Sequence, residues 1–377
     1  MMLERYARDL RQLADKGRLR ALRRQAGIDF TSNDYLGLAE SAELREAAVE
    51  ALARGVPIGS GGSRLLRGNH PEHEALEIEA AAYFGAESAL YFGGGYVANF
   101  AIFSTLPQRG DLVVHDELIH ASVHEGLRRG RAEFVGVPHN NIDSFDTAIA
   151  RWRAAGGKGR PWLSVESLYS MDGDSPDLAG LFAVADRHHA MVVIDEAHAT
   201  GVLGSQGRGL AAPFEGRDNV ITLHTCGKAL GTVGGFILAP KVIRDFLVNR
   251  SRPFIFATAP SPLIAAVTRA ALRISRTNPE RRERLAHLVR FAGNELRRRC
   301  HVEPSGSQII PVIVGPDQAA VALAASLQRK GFDIRAIRPP TVPEGTARVR
   351  VALTLNVNET MVGDLFAALA EDMRVAA

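Results

Sequence analysis

Cysteine is almost absent: Cys226 and Cys300 are the two present in 377 residues. That count rules out a disulfide framework and leaves no cysteine spacing for a metal, which suits a reducing compartment. Each cysteine reads as a small buried hydrophobe. Long apolar runs are missing too, since none reaches the roughly 18 residues of a membrane span. The start, Met1-Met2-Leu3-Glu4-Arg5-Tyr6, soon accumulates charge and has no signal-peptide core. A cytoplasmic protein is expected, with no membrane partner. Excess charge of one sign is also lacking: 45 Lys and Arg against 42 Asp and Glu leave +3. Without a basic block interleaved with aromatics, nucleic acid is not an expected partner. An acidic small substrate fits the mild basicity.

What is present is a globular composition, 46% hydrophobic and 23% charged, in a chain long enough for one large domain and a smaller one. Residues 3 to about 24 place Leu3, Tyr6, Leu10, Leu13, Leu19 and Leu22 at near-helical spacing and predict an amphipathic helix. An extended stretch from Asp29 to Leu38 and a helix from Ala42 to Ala53 follow, then a Gly/Ser loop at residues 59–63. Beyond it, short apolar runs beginning at Ala89, Leu112, Ala132, Trp162, Met191, Val220 and Gly234 alternate with helical segments. Strands alternating with helices imply βαβ units, hence an α/β fold with a mainly parallel, buried sheet. Ligands in such sheets gather at the carboxyl ends of the strands. After the Pro-rich stretch 254–262 the pattern turns to long helices, strand candidates at 308–314 and 347–353, and a closing helix from Asn358. The expected division is 1–50 for the N-terminal helix and extended segment, 51–270 for a large domain, and 271–377 for a smaller C-terminal α+β domain.

Three residues at strand ends carry chemistry. The run Met191-Val192-Val193-Ile194 ends in Asp195, and a carboxylate buried there needs a compensating charge. A protonated pyridine nitrogen would supply it; a Rossmann-type acid or a helix N-cap is the alternative for this segment alone. His198, three residues on, would project into the same crevice and could donate to a phenolate oxygen, or be an ordinary satisfied polar residue. Thr225 and Lys228 follow the run 220–223, so the lysine should reach the same sheet edge as Asp195. A lysine partly desolvated there becomes an amine nucleophile and proton carrier; on residue type alone a surface turn would explain it as well. Gly227, Gly231, Gly234 and Gly235 crowd around it and argue for close backbone or ligand approach.

One lysine, one aspartate and one histidine so placed are what a protein needs to hold pyridoxal phosphate (PLP), the lysine as Schiff base and the aspartate on the ring nitrogen. Gly93-Gly94-Gly95-Tyr96 stands between a strand and a helix, where backbone N–H groups can face a phosphate. Alone that signal is weak, and it gains weight from the lysine and aspartate. His120 could stack on a pyridine ring or be a core histidine. Arg348 and Arg350 alternate along 347–351 and would face one side of a strand. One guanidinium could clamp a substrate carboxylate while the other is solvated. No metal site is expected.

The segments Ser170-Met171-Asp172-Gly173-Asp174, Asp195-Glu196-Ala197-His198, Thr225-Cys226-Gly227-Lys228 and Ala336-Ile337-Arg338-Pro339-Pro340-Thr341-Val342-Pro343, in this order, resemble the α-oxoamine synthases. The resemblance covers nearly the whole chain, from Asn33-Asp34-Tyr35 to the final helix. It implies a fold-type I PLP-dependent transferase that joins an amino acid to an acyl thioester with loss of carbon dioxide. Within the family, the Ile337–Pro343 segment points to the member that condenses L-alanine with a pimeloyl thioester. The siblings use glycine or serine with another acyl-CoA. Position by position, the resemblance implies Lys228 as Schiff-base lysine, Asp195 as partner of the ring nitrogen, His198 and Ser170 near the ring's O3′, and His120 stacked on the ring. Gly95, Tyr96 and Thr225 match phosphate-binding positions. Thr258 matches a residue that reaches the phosphate in a neighbouring subunit, implying a homodimer with its active site at the interface. Arg350 matches the residue that binds the amino-acid carboxylate, and Asn33 lies where the family contacts substrate. Ala259-Pro260-Ser261-Pro262 stands where adjacent prolines are usual, and Leu355-Asn356-Val357-Asn358 lacks the usual histidine. Ser63-Arg64-Leu65-Leu66-Arg67 carries bulky residues in a loop that is smaller in some relatives. All three departures bear on the acyl chain preference.

Overall fold

Five strands of one sheet bury every residue: Leu112–Asp116, Pro161–Glu166, Met191–Asp195, Val220–Thr225 and Gly235–Ala239. Strands covered on both faces read as continuous apolar runs, which is the pattern found in the sequence. With Ser88–Phe92 and Glu133–Val137 they form a seven-stranded sheet. Across the sheet the order is 88–92, 235–239, 220–225, 191–195, 161–166, 112–116, 133–137. Gly235–Ala239 runs antiparallel to both neighbours, and the remaining pairs are parallel. The structure, a computed structural model, describes residues 3–376.

Successive strand residues point to opposite faces. Val113, Trp162, Met191, Val193, Ile221, Leu223 and Ile237 face the helices Gly95–Thr105 and Ala121–Arg129, packing on Ala98, Ile102, Phe103, Val123 and Leu127. Val114, Leu163, Val165, Val192 and Ile194 face the helices Ile142–Ala154 and Leu178–His188, against Phe145, Ile149, Leu181 and Phe182. Each such side chain, fully buried, contributes about 1.5–3 kcal/mol before entropy is counted. This alternation puts Glu166, Asp195 and Thr225 on the face that carries the helix Gly95–Thr105.

The chain divides into two compact units: Leu36–Tyr169 with Ser175–Arg282, which holds the large sheet, and Met1–Tyr35 with Ser170–Asp174 and Glu283–Ala377. In the second unit, Ile309–Gly315, Ala347–Ala352 and Ala336–Ile337 form a three-stranded antiparallel sheet with the helix Asp317–Arg329 packed on it. Ile28–Asp29 pairs in parallel with Phe332–Asp333. The N-terminal helix is shorter than its periodicity predicts. It spans Glu4–Asp15 and buries none of its residues, leaving Leu19 and Leu22 outside. Gly17 takes a left-handed φ of +66°, and Arg18 turns away to bond Asp317 at 2.5 Å, so the backbone cannot continue the helix. No helix among the described residues is long and apolar enough to cross a membrane.

Within the first unit, the helix Pro71–Phe84 anchors two loops. Arg64 and Glu77 form a buried ion pair at 2.8 Å that holds the loop after residue 63. His73, fully buried, bonds Pro260 O through Nε2 at 2.7 Å while its Nδ1 accepts from the His70 N–H at 3.2 Å. That pattern requires a neutral ring, and burial with Arg64 nearby holds His73 down at about 4. The unfolded chain takes up this proton near pH 6.5, so stability present above that pH is lost as pH falls toward about 4. The loss from this one ring should approach roughly 3 kcal/mol. His73→Gln is expected to flatten the acid limb of urea midpoint against pH; a slope identical to wild type would assign the acid loss to other groups.

Candidate active site

The carboxyl ends of the parallel strands bring three polar residues together. Register pairs Glu166 with Asp195, and Asp195 with Leu223 two residues before Thr225. Asp195 is 7% exposed at the end of an otherwise apolar strand. Its Oδ1 accepts the Ala197 N–H at 2.9 Å and its Oδ2 accepts Asn99 Nδ2 at 2.7 Å. Glu196 points the other way into the protein, taking Ser167 Oγ at 2.7 Å and the Leu210 and Ala211 N–H groups. Burial pushes its carboxyl upward against those donors. Glu196 thereby pins the turn that presents Asp195 and His198.

Lys228 sits on a closed turn leaving the strand Val220–Thr225. Cys226 N–H bonds Gly234 O, Thr232 N–H bonds Cys226 O, and Gly231 N–H bonds Lys228 O, at 2.8–2.9 Å. Gly231 and Gly234 adopt φ of +64° and +124°, conformations that L side chains rarely take. The glycine crowding read from the sequence is thus the price of bending the chain back within a few residues. Cys226 is buried beneath the turn, and burial pushes its thiol up, which makes it a packing residue.

The helix Gly95–Thr105 starts at the same edge, with an N-terminus built from glycine. A Cβ on Gly95 would lie 3.4 Å from Thr225 Oγ1, so a side chain there would close the space between helix start and hydroxyl. Asn99, one turn further, is 2% exposed and reaches Asp195. His120 precedes the helix Ala121–Arg129 and bonds Ser122 Oγ at 2.7 Å through Nδ1. Desolvation lowers the His120 pKa, Asp195 opposes the shift, and Lys228 adds to it. Tyr96, half exposed, meets the His120 ring edge-on at 6.2 Å. One recess is lined by Gly95, Tyr96, Asn99, His120, Glu166, Asp195, His198, Thr225 and Lys228.

The other expected residues are not among those that line this recess. Thr258 is exposed in the segment before the helix Pro262–Thr277 and does not line the recess. Arg350, Ser170 and Asn33 come together in the smaller unit. Arg350 Nε donates to Ser170 O at 2.7 Å, and Nη2 to Asn33 Oδ1 at 3.0 Å and Tyr35 Oη at 3.4 Å. Arg348 departs from the solvated alternative. It is 3% exposed and paired with Asp172 at 2.5 Å, with a further bond to Met171 O. Burying its charge required that partner, and the pair ties residues 170–174 to the strand Ala347–Ala352.

An amine at Lys228, a carboxylate held by two N–H donors, an imidazole, and a glycine helix start beside the Thr225 hydroxyl are the donor set a pyridoxal phosphate requires. The space a Cβ on Gly95 would fill suits the phosphate. Fold and recess together define a fold-type I PLP enzyme. The aminotransferase class I and II family matches residues 25–368. An 8-amino-7-oxononanoate synthase from Anaeromyxobacter dehalogenans is 42% identical over 348 residues, 92% of this chain and 86% of that one. Another from Geobacter sulfurreducens is 38% identical over 387 residues, covering 98% of each. Among solved structures, a serine palmitoyltransferase variant from S. paucimobilis with a bound PLP–myriocin aldimine superposes with a TM-score of 0.89 at 26% identity, over 99% of this chain and 98% of that one. The chain belongs to the 8-amino-7-oxononanoate synthase family of PLP-dependent acyltransferases.

Sequence reasoning missed Glu166, Asn99 and Ser122. Glu166 ends an apolar run just as Asp195 does, so the same signal could have found it. Asn99 stands four residues after Gly95, on the face that the helix period sends back toward the recess. Nothing local marks Ser122. Because a Cβ on Gly234 would lie 2.3 Å from the Tyr91 ring at a positive φ, Gly234→Ala should cost about 2–4 kcal/mol and weaken PLP retention by displacing Lys228. Denaturant midpoints of the cofactor-free protein, read with the PLP occupancy of the purified protein, check this; a loss below about 0.5 kcal/mol would show that the turn relaxes freely.

Proposed function

We propose that the protein condenses L-alanine with a pimeloyl thioester, as pimeloyl-CoA or pimeloyl-carrier protein, giving 8-amino-7-oxononanoate and carbon dioxide and releasing the thiol. The reaction is placed in biotin biosynthesis in the cytoplasm. The observation that carries the reading is the convergence of Lys228, Asp195 and His120 on one recess, in a chain whose relatives of that name align over almost its full length.

When bound, pyridoxal phosphate supplies the electron sink that acidifies the amino-acid α-carbon and accepts the electrons released on decarboxylation. Lys228 Nζ would hold the cofactor through its carbonyl carbon. Its amine would take the alanine α-proton and return a proton to the same carbon. Asp195 Oδ2, held by Asn99, would face the ring nitrogen and keep it charged. His120 would stack on the ring, and His198 and Ser170 would serve O3′. Gly95, Tyr96 and Thr225 hold the phosphate through the helix start and the hydroxyl. Arg350 binds the alanine carboxylate, with Asn33 beside it contacting substrate. Thr258 would reach the phosphate bound in a second copy, which would make the working form a homodimer.

Lys228→Ala should abolish turnover together with the borohydride-reducible visible band of the PLP-loaded protein; a band that persists would remove Lys228 from its role. Arg350→Ala is expected to raise the alanine KM about 10- to 100-fold with a smaller fall in kcat, and an unchanged KM would end the clamp assignment. Titrating the PLP-loaded protein with alanine, glycine and serine in turn, then adding pimeloyl-CoA, separates this function from its siblings. Spectral change and product with alanine alone are expected; a response to glycine or serine instead would reassign the chain to a sibling synthase such as glycine C-acetyltransferase.

A further inference from the structure

Asn99 and Ser122 are almost wholly buried, at 2% and 0% exposure, and neither belongs to the PLP-holding set. Asn99 Nδ2 donates to Asp195 Oδ2 at 2.7 Å and to Ser122 Oγ at 3.1 Å. Ser122 Oγ lies 2.7 Å from His120 Nδ1, which also accepts the Ser122 N–H at 3.2 Å. These bonds leave one self-consistent assignment of hydrogens.

A carboxylate oxygen only accepts, so the group of Asn99 facing Asp195 is its NH2 and not its carbonyl. That NH2 has two hydrogens, and both are spent: one on Asp195, one on Ser122 Oγ. Having accepted there, the serine hydroxyl uses its single hydrogen toward His120. Nδ1 of His120 receives two donors and therefore carries a lone pair, which puts the ring proton of the neutral imidazole on Nε2.

We propose that Asn99 is a positioning residue that sets two cofactor-facing groups at once, aiming the Asp195 carboxylate directly and fixing the Nε2–H tautomer of His120 through Ser122. The inference rests on the reading that Asp195 and His120 face the bound PLP. Its physical content is coupling. One amide, held on the helix whose start forms the phosphate end of the recess, keeps the acid and the imidazole from adjusting independently when substrates exchange. A direct contact with the Asp195 carboxylate would have drawn a ring N–H of His120 toward it; the interposed amide and hydroxyl instead present a donor to Nδ1 and leave the ring proton on Nε2.

Two readouts separate the arms. In cofactor-free protein labelled with 15N-histidine, the His120 signals, identified by their loss in His120→Gln, should show Nδ1 without a proton and Nε2 with one at neutral pH. Ser122→Ala and Asn99→Ala should convert them to a mixture of tautomers, and Ser122→Thr should restore the wild-type pattern. On PLP binding, Asn99→Ala should weaken affinity about 10- to 100-fold, as for a lost bond to a charged group, whereas Ser122→Ala should change it less than about threefold. Wild-type His120 signals in both Asn99→Ala and Ser122→Ala would overturn the tautomer arm, and unchanged PLP affinity in Asn99→Ala would overturn the Asp195 arm. Should Asn99→Ala fail to fold, Asn99→Asp, which sets a like charge against Asp195, reports on the same arm by the same affinity measurement. Asp195→Asn separates this inference from the site reading. If it leaves PLP affinity and the visible band unaltered, the site reading fails; if it alters them while Asn99→Ala does not, only the present inference fails.

Discussion

Asp195 is a carboxylate at the buried end of an apolar strand, and the cost of desolvating it organises the surrounding structure. Two N–H groups meet it within the chain, the backbone of Ala197 and the amide of Asn99. The first demands a turn directly after the strand, which Glu196 stabilises from beneath. The second demands that the helix Gly95–Thr105 pack on one face of the sheet in a single register. That register is secured by the apolar layer of Ile102, Phe103, Val193 and Ile221. Holding the acid, the helix also brings its glycine start to Thr225 and its side to His120. A fixed negative charge, an anion-accepting helix start and an imidazole are thus consequences of one packing arrangement.

Lys228 is placed by a different means. Its turn is short and closed by backbone bonds, and it is possible because glycine occupies the two positions with positive φ. Backbone constraint sets where the turn carries Lys228, as a side-chain bond sets where the helix Gly95–Thr105 meets Asp195.

Much of the fold was legible because the strands are buried on both faces and the helices between them are not. Six of the seven strands of the large sheet begin within one residue of the expected apolar runs and the seventh, Met191–Asp195, coincides with its run. Apolar spacing continues to about residue 24 and predicts a longer N-terminal helix than the Glu4–Asp15 that forms, because the helix stops before Gly17 although the spacing does not. Arg348 and Arg350 could be put on one side of a strand by alternation, but their partners, Asp172 for one and Ser170 with Asn33 for the other, come from segments far away in sequence. Periodicity reports the face a side chain occupies and is silent about what arrives there.

The residues that have chemistry, and the sheet edge to which they belong, can be read from the chain alone, because strand ends, glycine turns and the aspartate, histidine and lysine are local features. How those groups are held emerges when the helices pack on the sheet. Asn99 and Ser122 look like ordinary helix residues until the helices dock, and the amide that links Asp195 to His120 exists as a link only when segments 96 residues apart in sequence come within 2.7 Å. Hydrogen-bond direction depends on the distances between such segments, and those distances are set by core packing.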